Sequence, residues 1–399
     1  MKICLVSQEY PPETAHGGIG TQTYLKAHGL AARGHQLTVI SRSCDDQRHV
    51  YKDAAVEVIR VPGMEHLLEI GTEVADWLTY SVQVAVELGA LASQGGIDLI
   101  DVPEWACEGY AYLINRRDEK RVPVIIQLHG PLVLFAQAIG WPALDSEFYR
   151  IGRSMEDACL RLADARLSSS ECSAQWCARE YGLSREDIRI WHAGVDTTLF
   201  SPNPSLRHSR PTIVFVGRVT RDKGVALLVR AAIRLADEVP GLHLSILGRG
   251  DDALIHQMQQ EAKAAGCDQL LEFGGFIDRQ TLPARLRVAH VFAGPSAYEP
   301  GPGLVYLEAM ACGLPVVACQ SAGATEVIQD GQTGLLVPPG DGDALTEALR
   351  RLLTQEDLRQ TMGRQARQYV ESKAESRLCI EQLEQFYQEV LSRAQARRE

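Results

Sequence analysis

Short apolar runs alternate with longer amphipathic stretches along most of the chain. Each run is rich in β-branched residues and ends in a turn residue, a pattern typical of strands buried in a parallel sheet. The stretches between them are long enough to form crossover helices. The chain is therefore predicted to be α/β, with doubly wound parallel sheets. The predicted strands are 3–7, 37–41, 56–61, 97–102, 122–128, 166–169, 188–191, 212–216, 242–247, 270–273, 290–294, 315–318 and 335–337.

The alternation stops once, at a polar segment that contains two prolines, Ser201-Pro202-Asn203-Pro204-Ser205. Such a segment is typical of a domain boundary, and strand–helix alternation restarts after it. We therefore predict an N-terminal domain over 1–200 and a C-terminal domain over 201–372, with a cleft between them. The last segment, 373–399, is predicted to be a helix that can pack back on the N-terminal domain. Its apolar stripe fits core packing or a partner site: Cys379, Leu383, Phe386, Tyr387 and Val390.

Length and charge narrow the class of protein. A chain of 399 residues exceeds what one core usually supports, and its formal net charge of −11 argues against a nucleic-acid partner. No run approaches the roughly 20 apolar residues that span a bilayer, and the first strand leaves no room for a signal peptide. We expect a cytoplasmic protein without a transmembrane segment, for which peripheral membrane contact stays open. The ten cysteines form no CxxC pair and are expected to be reduced thiols rather than metal ligands.

The segment most indicative of function is the glycine- and proline-rich loop between the predicted strand 290–294 and a predicted helix over 304–312. Backbone N–H groups and the positive end of the helix dipole point outward from such a loop, which favours an anion. Two carboxylates bracket it, Glu299 in the loop and Glu308 one turn into the helix. An anion site flanked by acids indicates a ligand that carries both a diphosphate and hydroxyl groups.

A second loop carries two cations. Arg218 and Lys223 stand between the predicted strand 212–216 and the helix that follows Gly224. Arginine can bind phosphate oxygens in a bidentate manner and lysine acts as a point charge, so this spacing suits a diphosphate; the alternative is two surface cations. The motif Gly-x4-Gly-Lys-Ser/Thr is absent, so the loop is not a P-loop.

Signals in the N-terminal half are weaker. The glycines of 17–20 fit either a ligand loop or a tight turn. His129 follows a strand, where a side chain can project into a ligand site. Asp101 and Glu104 could likewise contact hydroxyls or be solvated loop acids. The aromatic residues of 132–149 fit either an acceptor wall or core packing: Phe135, Trp141, Phe148 and Tyr149.

Together these motifs resemble the retaining glycosyltransferases of family four, whose GT-B architecture has two facing Rossmann-like domains. The matching motifs follow the family order up to about Pro338. They include 17–20, His129-Gly130, 194–196, Gly217-Arg218, Lys223-Gly224, 248–250, Pro295-Ser296, Glu299, 303–305, 308–316, Glu326 and 331–334. The match is specific in the C-terminal half and thinner in the N-terminal half.

The resemblance assigns roles to these positions. It implies that Arg218 and Lys223, in the loop that begins at Gly217, hold the diphosphate of a nucleotide-sugar donor. Glu308 would bind the ribose hydroxyls, Glu299 the transferred sugar, and His129 would lie near that sugar from the opposite domain. The remaining donor-binding residues would be the glycine loop at Gly18, the backbone of Gly303, Leu304 and Val305, and the base-contacting segment at Phe276 and Ile277.

One departure concerns Glu299. The family usually places seven residues between the two glutamates, whereas eight separate Glu299 from Glu308 here. The extra residue lies in Pro300-Gly301-Pro302, so Glu299 either binds sugar through a bulged loop or only holds the loop.

The implied reaction moves a hexose, with retention and without a metal or other cofactor, from a nucleotide-diphosphate sugar to an acceptor hydroxyl. A UDP-sugar is the expected donor, and the acceptor is a carbohydrate, a lipid-linked glycan or a small molecule. The catalytic set would be His129, Arg218, Lys223 and Glu299. The alternatives are a non-catalytic nucleotide-sugar-binding subunit and another GT-B-like enzyme, such as an epimerase or a phosphorylase.

Overall fold

The computed structural model describes residues 1–12, 14, 17–45, 47–63, 73–116 and 121–397. Its chain forms two compact units, one of residues 1–193 with 376–399, and the other of residues 194–375. The chain passes from the first unit to the second after Ala193 and returns to the first before Ser376. These two points of the chain lie close together, because the Val195 N–H donates to the Ala374 carbonyl at 2.8 Å.

The first unit contains one sheet in the order β3-β4-β2-β1-β5-β6-β7-β8. All its neighbouring strands are parallel except β3 and β4. Its strands are β1 (Lys2–Val6), β2 (Gln36–Arg42), β3 (His49–Asp53), β4 (Val56–Val61), β5 (Leu99–Pro103), β6 (Val124–Leu128), β7 (Ala165–Ser168) and β8 (Ile188–Ile190). Its helices are α1 (Gly18–Ala32), α2 (Glu73–Ser93), α3 (Tyr110–Asn115), α4 (Leu132–Ile139), α5 (Glu147–Leu162), α6 (Glu171–Tyr181) and α14 (Ser376–Ala396).

The second unit contains a fully parallel sheet in the order β11-β10-β9-β12-β13-β14. Its strands are β9 (Thr212–Val216), β10 (His243–Leu247), β11 (Leu271–Gly275), β12 (Val291–Gly294), β13 (Val316–Cys319) and β14 (Gly334–Val337). Its helices are α7 (Val225–Leu235), α8 (Asp252–Ala264), α9 (Leu282–Arg287), α10 (Leu304–Ala311), α11 (Ala322–Val327), α12 (Gly342–Thr354) and α13 (Glu356–Lys373).

The predicted strands are confirmed within a few residues at each end, and the α/β class with doubly wound parallel sheets is confirmed. Strands buried on both faces require continuous apolar runs, and β9 shows why: Ile213 and Phe215 pack on one face of the sheet and Val214 on the other. Strand β3 was missed. It is a mostly exposed antiparallel edge strand, so its sequence lacks the apolar run of a buried strand.

Helix α14 returns to the first unit and packs on α1. Its apolar stripe is buried, so the core-packing interpretation is confirmed. Gly29 on α1 makes the approach feasible, because a Cβ there would lie 2.6 Å from Ile380 Cγ1. The Tyr387 hydroxyl donates to Asp101, which also pairs with Lys26 at 2.7 Å.

Both sheets reverse their winding direction once. The strand order changes direction between β1 and β5 in the first unit and between β9 and β12 in the second. Open α/β sheets bind ligands beyond the carboxyl ends of the strands at such a point. The loops after these four strands are therefore the expected positions of a ligand site.

Candidate functional site

The loops after β9 and β12 contact each other at the switch point of the second sheet. Gly224 has φ of +68°, and a Cβ there would lie 2.1 Å from the Pro295 carbonyl oxygen. The backbone N–H of Ala297 donates to the Asp222 carbonyl at 3.1 Å. A short 3₁₀ helix, Arg221–Lys223, is thereby held against the loop that carries Glu299. Only glycine allows this approach at position 224, which explains the local sequence.

Lys223 and Glu299 meet in this place. The Lys223 ammonium lies 2.8 Å from Glu299 Oε2, and the two side chains are only 19% and 17% exposed. They border a small cavity of about 100 Å³, which Gly217, Ser296 and Gly303 also line. The sequence assigned one of these side chains to a diphosphate and the other to a sugar. The structure places both at one cavity, already joined as an ion pair.

The loop with the extra residue packs against the start of α11. The Gly323 N–H donates to the Glu299 carbonyl at 2.9 Å, and a Cβ on Gly323 would lie 2.0 Å from the Gly301 carbonyl oxygen. Gly301 can therefore bulge toward α11 because residue 323 has no side chain. The bulge leaves the Glu299 carboxylate beside Lys223 despite the longer spacing to Glu308.

The N-terminus of α10 lies at the same cavity. Gly303 is its N-cap residue, and Gly303 and Val305 line the cavity, with Leu304 between them at the first helical position. The first turn contains no acidic side chain that would compete for the N–H groups. Because the first N–H groups of a helix lack intrahelical partners, this end of α10 is suited to bind anionic oxygens.

Glu308 lies one turn further into α10 and is buried, with 3% of its surface exposed. Its carboxylate forms an ion pair with the Arg279 guanidinium through Oε1. Burial raises the pKa of Glu308, and the positive charge of Arg279 opposes that shift. Sequence reasoning missed Arg279. The available signal was its place two residues beyond Ile277, in the segment already assigned to the nucleotide base.

The other predicted donor residues are more exposed. The Arg218 side chain is exposed at the edge of the β9 loop. Phe276 follows β11 and is 53% exposed, with the Arg249 guanidinium 5.3 Å from its ring centroid. Ile277 turns back and packs against the core cluster that contains Phe292. These residues all follow carboxyl ends of neighbouring strands and so lie along one edge of the second sheet.

In the first unit, Gly18 begins α1 beyond the end of β1. A carboxylate already lies at this helix end, because the Gly20 N–H donates to Glu9 Oε2 at 3.3 Å. Glu9 also limits the size of the neighbouring residue: a Cβ on Gly17 would lie 2.9 Å from the same oxygen. The Gly20 N–H of this glycine loop is therefore bound internally, by the Glu9 carboxylate.

His129 follows β6, and its loop is held by a buried acid. The N–H groups of His129 and Gly130 donate to Glu104 Oε1 at 2.7 and 2.6 Å. Burial raises the pKa of Glu104 to about 7, although these hydrogen bonds oppose the shift. Burial, with a smaller contribution from the Lys26 ammonium, lowers the pKa of His129 to about 3. The His129 imidazole is therefore neutral near pH 7.

The surroundings of Asp101 and Glu104 exclude one of the two interpretations that the sequence left open for them. Asp101 and Glu104 are not solvated loop acids, because they are 4% and 0% exposed. Asp101 is bound by Lys26 and by the Tyr387 hydroxyl, and Glu104 holds backbone N–H groups, so both stabilise the first unit. The reason is their position: Asp101 lies within the central strand β5 and Glu104 directly follows it, and every residue of β5 is buried.

The aromatic residues of 132–149 form part of a larger ring cluster. Trp141 lies 5.8 Å from Phe148 and 6.2 Å from Trp105, and Phe135 lies 5.3 Å from Trp105, between ring centroids. Phe135 and Phe148 are half-buried, whereas Trp141 is 42% exposed. Packing accounts for most of this cluster, and Trp141 remains its accessible edge.

Across 1–12, 14, 17–45, 47–63, 73–116 and 121–397, no group of three or more His, Cys, Asp or Glu side chains is arranged to hold a metal ion. In the same part of the chain, none of the helices is both long and apolar enough to cross a bilayer.

Comparison with known proteins gives consistent matches over nearly the whole chain. The family model for glycosyltransferase family 4 matches residues 16–199, and that for glycosyl transferases group 1 matches residues 196–369. A GDP-mannose-dependent alpha-(1-6)-phosphatidylinositol monomannoside mannosyltransferase from Mycobacterium tuberculosis is 33% identical over 396 residues, covering 92% of this chain and 93% of the relative. A glycogen synthase from the same organism is 28% identical, covering 93% of this chain and 91% of the relative.

A solved structure shows the fold independently. Sucrose-phosphate synthase from Thermosynechococcus elongatus superposes with a TM-score of 0.82 at 24% identity, covering 98% of this chain and 99% of that one. With the two parallel-sheet units described above, this likeness confirms the predicted GT-B fold.

Proposed function

The chain belongs to glycosyltransferase family 4 and is a nucleotide-sugar glycosyltransferase, and we propose that it transfers a hexose, with retention, to an acceptor hydroxyl. The observation that carries the finer assignment is the Lys223–Glu299 pair, 2.8 Å apart, at the cavity that also receives the N-terminus of α10. One site therefore combines a cation, a carboxylate and helix N–H groups. A sugar nucleotide presents the complementary groups, a diphosphate beside hydroxyls.

Lys223 can serve both partners. An ammonium group has three donors, so one N–H can stay on Glu299 while another reaches a phosphate oxygen. Glu299, held in position by Lys223, would then accept hydrogen bonds from the hydroxyls of the transferred hexose. This arrangement would keep the sugar and the diphosphate in a fixed relation, which lowers the entropy cost of reaching the transition state.

Catalysis follows from where charge develops. As the bond between the anomeric carbon and the diphosphate breaks, negative charge grows on the phosphate oxygens. The acceptor oxygen would bond to the anomeric carbon on the same face, and its proton would pass to the leaving phosphate oxygen. Lys223, Arg218 and the N–H groups of Gly303, Leu304 and Val305 are proposed to stabilise the negative charge, as preorganised donors do. These groups are proposed to replace a metal ion in this role. We propose that the neutral imidazole of His129 takes part as a hydrogen-bonding group rather than as a cation.

The acceptor and the donor base belong to the proposal as well. We propose a UDP-hexose as donor, with a GDP-hexose as the first competitor, because the mannosyltransferase relative is named for GDP-mannose. The base would lie against Phe276 and Ile277, with the ring of Phe276 supported by Arg249. The acceptor would be a carbohydrate, lipid-linked glycan or small molecule bound by the first unit.

The first experiment is a nucleotide-release assay with UDP-, GDP- and ADP-hexoses in the presence and absence of glycan and glycolipid acceptors. Acceptor-dependent release of one nucleotide supports the proposal. Conversion of the donor to an epimer without acceptor, or binding without release, refutes it. The anomeric ¹H–¹H coupling of donor and product tests retention, and activity after EDTA treatment tests independence of metal.

The role of Lys223 is tested by substitution. We expect Lys223→Ala to lower kcat/KM at least about 100-fold, the scale of losing one preorganised charge contact. Lys263→Ala, at an exposed position in the last turn of α8, is the matched control and should retain full activity. Near-normal activity of Lys223→Ala would remove Lys223 from the site.

A further inference from the structure

The pair Glu308–Arg279 is a buried charge arrangement that none of the assigned roles explains. The Glu308 side chain is 4% exposed and that of Arg279 is 24% exposed. A carboxylate at this depth needs a charge partner, because burial alone favours its neutral form. Arg279 supplies that partner from a different element, the turn between β11 and α9.

The turn that carries Arg279 is well held. Asp278 accepts the backbone N–H of Gln280 at 2.6 Å through its carboxylate, and its carbonyl accepts the N–H of Leu282 at 3.0 Å. The Arg279 guanidinium also lies over the Phe200 ring, 5.2 Å from the centroid. A stacked guanidinium on a hydrogen-bonded turn loses little further freedom when it engages a carboxylate. Arg279 is therefore positioned before any ligand arrives.

Arg279 uses its donors asymmetrically. Nη1 binds Glu308 Oε1, while Nη2 is buried and has no hydrogen-bond partner among the described residues. Such unpartnered buried donors are uncommon in folded proteins. The binding of Arg279 to Oε1 alone leaves Glu308 Oε2 free to accept from another group. Both open positions belong to the same ion pair, and its arginine lies two residues beyond Ile277.

We propose that Arg279 is a positioning residue for the ribose of the donor: it keeps the Glu308 carboxylate charged and oriented, so that Oε2 accepts the ribose hydroxyls. This inference rests on the proposed function and extends it from Glu308 to a residue on another element. Arg279 acts through Glu308. A nucleoside with both ribose hydroxyls is the ligand that this pair would select.

The test is the discrimination between ribonucleotides and deoxyribonucleotides, measured by calorimetric titration. The probes are UDP and GDP, each compared with its 2′-deoxy and 3′-deoxy analogue. For the intact chain we expect at least one deoxy analogue to bind about 10-fold or more weakly than its parent, since a hydrogen bond to a charged group is lost. Arg279→Gln should bind the parent about 10-fold or more weakly and reduce the ratio below about 3.

Two further variants separate orientation from other effects. Arg279→Lys keeps the charge and should retain more of the discrimination than Arg279→Gln. Glu308→Gln should lower the ratio by itself, and adding Arg279→Gln to it should cause little further change, because residues that act as a unit are not additive. Arg234→Gln, which removes an exposed cation on α7, is the control and should leave both affinity and ratio unchanged.

The outcomes are distinct. A purely structural role of Arg279 would weaken parent and deoxy nucleotides equally, and an unchanged ratio in Arg279→Gln overturns the proposal. Tighter binding of the parent by this variant also overturns it, since Arg279 would then compete with the ribose. Equal binding of parent and deoxy forms by the intact chain overturns the ribose role of Glu308 and the proposal for Arg279, while the donor assignment stands. Binding of neither UDP nor GDP overturns the donor assignment itself, and this proposal with it.

Discussion

Replacing Lys26 by Met should destabilise the first unit strongly. The Lys26 ammonium lies 2.7 Å from Asp101 Oδ2 and also contacts Gln127 Oε1, and the side chains of the ion pair are 5% and 4% exposed. Methionine fills a similar volume but leaves the Asp101 carboxylate buried with the Tyr387 hydroxyl as its one remaining side-chain donor among the described residues. In the intact chain the Lys26 ammonium offsets the free-energy cost of burying the Asp101 carboxylate. The substitution removes that compensation.

The expected loss follows from this burial. Removing one partner of a buried ion pair costs about 3–5 kcal/mol of unfolding free energy. With a urea dependence of about 2 kcal/mol per molar, the midpoint of unfolding should fall by about 1.5–2.5 M. That is a large part of the roughly 5–15 kcal/mol that stabilises a typical domain.

The assay is urea unfolding followed by intrinsic tryptophan fluorescence. This signal reports the first unit alone, because every tryptophan lies within residues 1–193: Trp77, Trp105, Trp141, Trp176 and Trp191. Trp191 is a direct reporter, since the Lys26 ammonium lies 5.3 Å from its ring centroid.

The matched control removes an exposed pair from the same unit. Arg393 and Glu389 on α14 are 3.6 Å apart with side chains 68% and 43% exposed. Such pairs contribute about 1 kcal/mol or less, so Arg393→Ala should move the midpoint by no more than about 0.5 M. A midpoint for Lys26→Met within the range of Arg393→Ala would show that the buried pair does not stabilise the unit, and the reasoning would be wrong.

Two further predictions concern the sites themselves. Gly323→Ala should lower kcat/KM at least about 10-fold, because its Cβ would lie 2.0 Å from the Gly301 carbonyl oxygen and displace the loop that carries Glu299. Gly89→Ala on α2 is the control and should retain full activity, because a Cβ there meets nothing within 4 Å. Equal activity of the two variants would contradict the role of the loop. The pKa of His129 of about 3 lies below its ordinary value, so the unfolded chain binds this proton more readily and the stability contributed by neutral His129 is lost as the pH falls from about 6.5 toward 3. Its Hε1 NMR resonance should not titrate between pH 6 and 8, whereas a midpoint near 6.5 would show that neither burial nor the charge of Lys26 acts on the ring.

The sequence alone determined the α/β class and the positions of most strands. It could do so because a strand covered on both faces must be apolar throughout, and the following turn must contain residues that end it. Site residues at strand ends are visible for the same reason. The apolar run of β9 precedes Lys223, and that of β12 precedes Glu299 and Glu308. The carboxyl ends of parallel strands share one edge of the sheet, so these residues are expected there.

Other features depend on contacts between distant segments. Strand β3 is an exposed edge strand that forms by pairing with β4, and its sequence contains no apolar run that would predict it. The ion pair of Arg279 with Glu308 joins the turn after β11 to α10. Helix α14 belongs to the first unit although it follows the second unit in the chain.

Only the tertiary structure decided these features, because local patterning reports whether a residue is buried but not which distant residue it meets. The sequence places Glu308 near the start of a helix, but only the fold shows that Arg279 is its partner. Asp101 reads as a loop acid until Lys26 and Tyr387 enclose it. The energy of a buried charge depends on its partner, and the path of the chain through space selects that partner.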